Sequence, residues 1–419
     1  MNEHPIVRWI ESDLACSAHW RNEKGIVPPK RVVIADEQMS ADTAYHLACE
    51  GTALLWRGDF QNARQMLLAM ARRADEKTRK ANKAAIANKA QKLGKPAAVA
   101  DFEAASPATI APPIQAFHLH RLAQSQRART LGMLLLPLAG DYTVPLRRAP
   151  DLQRACTEAY GPPGGASGND SAGDSLVSMR ELLGLIGAHE WRKKGVDVPA
   201  LNDRIHPHYG VFAPVRGEYV GLVANASLPV LPAGPTDTKT LPLAFDIGTG
   251  TGVLAAVLAR RGIGRIIATD MDPRALVCAR ENIKRLKLAA QVDVVQADLF
   301  PGGRAPLIVC NPPWIPARPS SPIESAIYDP ESRMLRGFIA GLATHLEPGG
   351  EAWLILSDLA EHLGLRTRTQ LLNLFEQGGL VVIERLDAQP SHPRVYDTAD
   401  PLHAARAAEV TSLWRLVVR

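Results

Sequence analysis

Past residue 241 the chain alternates short apolar runs with longer segments whose apolar positions recur every three to four residues. The pattern predicts strands at 243–247, 266–270, 292–297, 307–310 and 352–356, and helices at 251–261, 273–287 and 331–346. Strand and helix in turn at this spacing imply βαβ units, hence an α/β fold with a doubly wound, largely parallel sheet. Two late strands, at 381–385 and 413–418, bring the set to seven, and Pro348-Gly349-Gly350 is expected to stop the helix before the next strand.

The first half reads differently. Two helices are predicted within 41–73, one capped by Asp42 and carrying Ala44, Leu47, Ala48 and Ala53, the other capped by Asp59 and carrying Ala63, Met66, Leu67 and Met70. Residues 75–113 turn Lys/Ala-rich and then Ala/Pro-rich, the composition of an exposed helix with a loose tail or of a flexible insertion. A basic stretch, Arg121 to Arg129, leads into an apolar run at 131–139 that is far too short to cross a bilayer. Gly, Ser and Pro crowd 161–175, a flexible linker; a helix follows at 178–194, an aromatic and Gly/Pro-rich passage at 206–224, and a second linker at 231–240. The expected organisation is a mostly helical, basic N-terminal domain at 1–160 for substrate recognition, the linker, and a second domain at 176–419 with its catalytic core at 241–419.

Composition sharpens this picture in a few places. The net charge of +5 lies wholly within residues 1–240, and Arg57 to Lys95 alone carry +8. Such a cluster either attracts a polyanion such as RNA or forms a solvated helix face. The five cysteines are scattered with no C-x-x-C pair, which argues against a disulfide framework and against zinc. The His118/His120 and His206/His208 pairs lack neighbouring acidic or cysteine ligands, so no metal is expected. An acidic start without an apolar core segment is no signal peptide, so a cytoplasmic protein with no membrane partner is expected.

The chemistry gathers at predicted strand ends. Asp246-Ile247-Gly248-Thr249-Gly250-Thr251-Gly252 is a glycine-rich strand-to-helix turn, where missing Cβ atoms let a ligand approach the backbone. Its G-x-G-x-G spacing departs from the dinucleotide fingerprint and disfavours an NAD-linked oxidoreductase. Asp270 ends the next strand, placed to accept both hydroxyls of a ribose, and Asp298 ends the third, placed to accept from an exocyclic amine such as that of adenine. Each alone reads equally well as a turn or capping aspartate. Asn311-Pro312-Pro313-Trp314 closes the fourth strand: an amide oxygen and a carbonyl oxygen to accept N–H bonds, two prolines to stiffen them, and a flat ring to stack on.

These segments resemble the class I S-adenosylmethionine-dependent methyltransferases, with their seven-stranded Rossmann-like sheet. Residues 245–252 match the first motif, 268–276 the acidic loop and 296–300 the adenine loop. The resemblance implies S-adenosyl-L-methionine as cofactor, with Asp246, Gly248, Gly250 and Gly252 near its methionine end, Asp270 at the ribose, and Asp298 with Leu299 at the adenine. Asn311 would face cofactor and acceptor alike. Asn311-Pro312-Pro313-Trp314-Ile315-Pro316, Tyr328-Asp329-Pro330 and Leu346-Glu347-Pro348-Gly349-Gly350 are similar to the HemK-type protein glutamine N-methyltransferases, which usually carry Tyr at the place of Trp314 and Glu at that of Asp329. Residues 212–218 resemble the segment before their core. The N-P-P-aromatic signature also occurs in enzymes methylating exocyclic base amines, so the substrate implied is a macromolecule, either a translation-related protein or RNA or DNA, with a ribosome-associated target among the options. A cofactor-binding regulatory subunit without activity is the reading from another class.

Overall fold

The computed structural model describes residues 5–92, 112–163, 174–229, 242–319, 322–390, 397 and 400–419. It divides into two compact units, Met1–Glu190 and Trp191–Arg419. The first is built on a six-stranded sheet in the order β1-β2-β6-β5-β4-β3, with β1 at Ile6–Glu11, β2 at Leu14–Arg21, β3 at Arg31–Ala35, β4 at Thr52–Trp56, β5 at Leu134–Leu138 and β6 at Ser175–Ser178. Helices α1 (Ala41–Cys49), α2 (Phe60–Lys92), α3 (Pro113–Leu131), α4 (Gln153–Tyr160) and α5 (Met179–Lys194) complete it.

The expectation of a mostly helical N-terminal domain therefore missed this sheet. Ala53, read as part of a helix stripe, lies in β4, where all five residues are buried. A continuous apolar run with no polar alternation is what a strand covered on both faces requires. Gly51 (φ 85°) turns the chain between α1 and β4. The cap of α1 is Ser40, whose side chain accepts from the Thr43 N–H, rather than Asp42. Asp59 does cap α2 through the Gln61 N–H at 2.8 Å. Of residues 75–113, those up to Lys92 continue α2, and 93–111 lie outside the described residues. The stretch 161–175, read as the linker between domains, falls inside the first unit: β6 pairs with β2 and β5, and the division comes within α5. Residues 164–173 and the second expected linker at 231–240 are outside the described residues.

The second unit begins with a small hairpin, β7 (Val196–Val198) and β8 (Asp203–Ile205), and α6 (Glu218–Asn225). Then come β9 (Leu243–Ile247), α7 (Val253–Arg260), β10 (Arg265–Asp270), α8 (Pro273–Arg285), β11 (Val292–Gln296) and β12 (Ala305–Cys310). The chain continues through α9 (Arg333–His345), β13 (Leu346–Ser357), α10 (Leu359–His362), α11 (Arg368–Gln377), β14 (Leu380–Ala388), α12 (His403–Ala408) and β15 (Thr411–Val418). Seven strands form one sheet in the order β11-β10-β9-β12-β13-β15-β14, parallel except for β15, which is antiparallel to both neighbours. The strand order reverses direction at β9/β12, the switch point of a doubly wound sheet. Pro348-Gly349-Gly350 does not separate helix from strand as expected. It lies within β13, where the pairing with β12 shifts from Ala305↔Leu346 to Leu307↔Glu351 and the extra residues bulge.

The period-2 alternation of β side chains splits the core into two layers. Ala244, Leu307, Val309, Trp353 and Ile355 face α6 and α7. Phe245, Ile308, Cys310, Ala352 and Leu354 face α9 and α11. Both faces of the central strands are thus covered, leaving their carboxyl ends as the accessible edge. Among the described residues, no helix is long and apolar enough to cross a membrane.

Candidate active site

Strand register brings the predicted site together. Ile247 pairs with Thr269 on one side and with Cys310 on the other, so Gly248, Asp270 and Asn311 leave three adjacent strands at the same level. Adjacent strands lie about 4.8 Å apart, so the three positions span roughly 10 Å, the width of a nucleoside with its substituent.

Asp246, the last acid before the glycine turn, is only 1% exposed. Its Oδ2 accepts from the Thr249 hydroxyl at 2.6 Å and the Ala255 N–H at 3.0 Å, which fixes the turn to the start of α7. Its Oδ1 is buried and without a hydrogen-bond partner among the described residues. Burial pushes the carboxyl up to about 6, the two hydrogen bonds holding it lower than burial alone would. Gly248 and Gly250 both have positive φ, 71° and 55°. A Cβ on Gly248 would collide with the Met334 methyl, whereas one on Gly250 would project into open space. Gly252, with φ 80°, starts α7.

Asp270 leans back onto that turn: its Oδ2 accepts the Gly250 N–H and its Oδ1 the Asp272 N–H, both at 3.0 Å. Burial raises its pKa, and these two bonds oppose the shift. A carboxylate has room for further donors, so these bonds do not exhaust it. Asp298 is exposed and paired with Arg333 at 2.5 Å, so it reaches the start of α9. Leu299 adopts φ 73°, and its carbonyl accepts the Thr269 hydroxyl at 2.6 Å, which ties the loop after β11 to β10.

Asn311 is half-buried, and its Oδ1 accepts the Trp314 indole N–H at 2.8 Å. That bond locks the amide's orientation and leaves the oxygen a second lone pair. Pro312 is buried and Pro313 half-buried. Trp314 is half-buried against both layers of the core, so one part of the ring is fixed while the rest borders the edge. The loop is held from the far side: Ile315 N–H donates to the Ile327 carbonyl and Asp329 N–H to the Ile315 carbonyl. Asp329, 5% exposed, then accepts the Met334 and Leu335 N–H groups at 3.0 and 3.1 Å, capping α9.

The sequence motifs assign no structural role to several residues that hold this edge. Thr249 and Asp329 act through short-range bonds, and a capping pattern ahead of α9 was the available signal for Asp329. Glu409 is fully buried and accepts from Ser357 Oγ at 2.6 Å and Arg216 Nη1 at 3.0 Å, tying the segment before α6 to the edge at β13 and β15. Its partners lie 52 and 193 residues away, beyond the reach of any local pattern. The His206/His208 pair is engaged elsewhere: His206 Nδ1 meets the Arg192 carbonyl at 2.6 Å and His208 Nε2 meets Glu281 at 2.8 Å. Among the described residues, no group of three His, Cys, Asp or Glu side chains is placed to hold a metal.

The donor set fits the amino-acid end of a nucleoside cofactor. The orphaned Asp246 oxygen calls for a positively charged or N–H donor, and the space beside Gly250 admits one close to the backbone.

Comparison with known proteins agrees. The family model of the methyltransferase small domain matches residues 236–382. A ribosomal protein L11 methyltransferase from Pelotomaculum thermopropionicum is 48% identical over 69 residues, 16% of this chain and 22% of that protein. A release factor glutamine methyltransferase from Cereibacter sphaeroides is 31% identical over 156 residues, 34% of this chain and 54% of that protein. The chain thus spans from about a fifth to about half of the length of these two relatives. A solved S-adenosylmethionine-dependent methyltransferase from Thiobacillus denitrificans, in complex with S-adenosyl-L-homocysteine, aligns over 50% of this chain and 92% of that one at 18% identity, with a TM-score of 0.33. Residues 236–382 match the methyltransferase small domain, and this part of the chain is similar to release factor glutamine methyltransferases and ribosomal protein L11 methyltransferases.

Proposed function

We propose that the protein is an S-adenosylmethionine-dependent N-methyltransferase that modifies a planar nitrogen of a macromolecule, a glutamine side-chain amide in a translation-related protein of the cytoplasm. The observation that carries the reading is Asn311, fixed by Trp314 and held in register beside the glycine turn of the neighbouring strand. When bound, the cofactor supplies an electrophilic methyl group on a sulfonium. The protein orients the acceptor. The free lone pair of Asn311 Oδ1 and the Pro312 carbonyl accept the two N–H bonds of the amide, drawing the nitrogen toward tetrahedral geometry and offsetting its developing positive charge. The exposed part of Trp314 stacks on the amide plane. With its methyl group given up, the cofactor would leave as a neutral thioether, and the acceptor nitrogen would lose its extra proton to water. Positioning does most of the catalysis, and no strong base is needed.

A base amine of RNA is the second reading. It is favoured by the exposed Arg64, Arg72, Lys77, Arg79 and Lys80 along α2. Part of that charge is neutralised within the first unit, because Arg73 pairs with Asp42, and Arg127 of α3 pairs with Asp75. Incubation with methyl-labelled cofactor and cell lysate separates the two: the amide reading expects label that survives nuclease and is lost to protease. Label lost to nuclease, with a yield falling steeply between low and moderate salt, makes the substrate RNA.

A further inference from the structure

Arg366 lies in the turn between α10 and α11, beyond the carboxyl end of β13, the strand next to the one that ends at Asn311. It is 6% exposed, yet its Nε and Nη2 are buried with no acceptor among the described residues. The nearby acids are engaged. Glu361 is bound by Arg368 Nε at 2.9 Å through both oxygens, and Asp329, within electrostatic range of Arg366, spends its two oxygens on the cap of α9. A buried guanidinium whose N–H donors meet no acceptor is costly and calls for a partner that completes it.

The identity of the two free atoms says what would complete it. Nε and Nη2 form the side-on edge of the guanidinium, two parallel donors spaced for the two oxygens of a carboxylate. This chain uses the same edge repeatedly for that purpose: Arg57 on Glu11, Arg127 on Asp75 and Arg415 on Glu351 each donate from Nε and Nη2 to both carboxylate oxygens. We propose that Arg366 is the docking group for a carboxylate brought by a ligand of the methyl-transfer site. Two carboxylates come to such a site, that of the methionine end of the cofactor and that of an acidic residue beside the methyl-accepting nitrogen. This rests on the proposed methyltransferase reading only for the origin of the carboxylate, not for its binding.

The test uses the full chain and two variants, Arg366→Lys, which keeps the charge but loses the edge, and Arg366→Met, which loses both. In protein labelled with 15N-arginine, sodium acetate should shift the Arg366 Nε resonance saturably, whether or not the protein transfers methyl groups. Calorimetry with S-adenosylhomocysteine and with methylthioadenosine, which lacks the carboxylate, finds the source. Loss of roughly 10- to 150-fold for the first ligand alone in both variants assigns the cofactor. Unchanged affinity for both, with a similar loss in the initial rate of labelling at limiting lysate, assigns the acceptor. Arg366→Met should also melt no lower than the parent, because an unpaired buried charge has been removed, whereas a purely structural arginine would lower the melting point. The proposal is overturned if acetate leaves the resonance unmoved, or if both variants bind and label like the parent. It is also overturned if inorganic phosphate displaces acetate at far lower concentration, which marks a nucleic-acid backbone. Absence of any labelling by the parent, with the acetate shift intact, would instead remove the methyltransferase reading and leave the carboxylate site standing.

Discussion

Replacing Asp246 with Asn should move stability and cofactor affinity in opposite directions. In the folded protein its carboxyl titrates at about 6, raised by burial from the ordinary range near 4. A raised folded-state pKa means the penalty is absent below about pH 4, grows as pH rises, and is complete above about pH 6. Two pKa units correspond to about 3 kcal/mol carried at neutral pH. Asparagine removes the ionisation and can keep the Thr249 and Ala255 bonds through its oxygen, while its NH2 takes the place of the orphaned Oδ1. That NH2 then lacks an acceptor, which returns about 1–3 kcal/mol. The variant without cofactor is therefore predicted to be between neutral and about 2 kcal/mol more stable at pH 7.5, an advantage that disappears at pH 4. A charge-assisted hydrogen bond to the cofactor is worth about 1.5–3 kcal/mol, so S-adenosylhomocysteine should bind roughly 10- to 150-fold more weakly. Differential scanning calorimetry at the two pH values and isothermal titration provide both numbers. A variant that melts several degrees lower at pH 7.5 and binds the ligand as the parent does would make Asp246 a structural cap and refute the reasoning.

Three further outcomes follow from the same geometry. In the parent protein, cofactor affinity should weaken by up to about tenfold per unit as pH falls below 6, because the Asp246 carboxyl takes up a proton; an affinity flat from pH 5 to 8 would contradict this. Asp329→Ala removes two backbone bonds at the start of α9, costing about 1–2 kcal/mol in urea unfolding, and loosens the loop carrying Asn311, so transfer should slow while S-adenosylhomocysteine affinity holds. Glu409→Ala leaves Arg216 and Ser357 without their buried partner and should destabilise the protein by about 3 kcal/mol, read from the urea midpoint, with Glu409→Gln costing less.

The second unit was legible in the sequence because each of its central strands is buried on both faces and reads as a bare apolar run, while its helices keep their polar outer faces. The site was legible where chemistry sits at strand ends: Gly248, Asp270 and Asn311 follow their strands directly, and register does the rest. What stayed hidden depends on long-range pairing. The sheet of the first unit joins β4 and β5 across the whole of α2 and α3, and no local period announces which strand will neighbour which. Thr52 to Trp56 is only five residues long and follows a helix with the same apolar composition, so length and Gly51 were the available cues. Arg366 and Glu409 are unremarkable as sequence; burial alone sets them apart.

The central claim is that Asn311 presents the acceptor nitrogen to a bound cofactor, and a paired measurement on Asn311→Ala tests it most directly. S-adenosylhomocysteine affinity by calorimetry and single-turnover methyl transfer to lysate protein should separate. Binding should stay within a few-fold of the parent while transfer falls by roughly 10²–10³, the loss seen when a donor or acceptor to the transition state is removed. Transfer that persists at the parental rate, or binding that collapses together with it, would contradict the account.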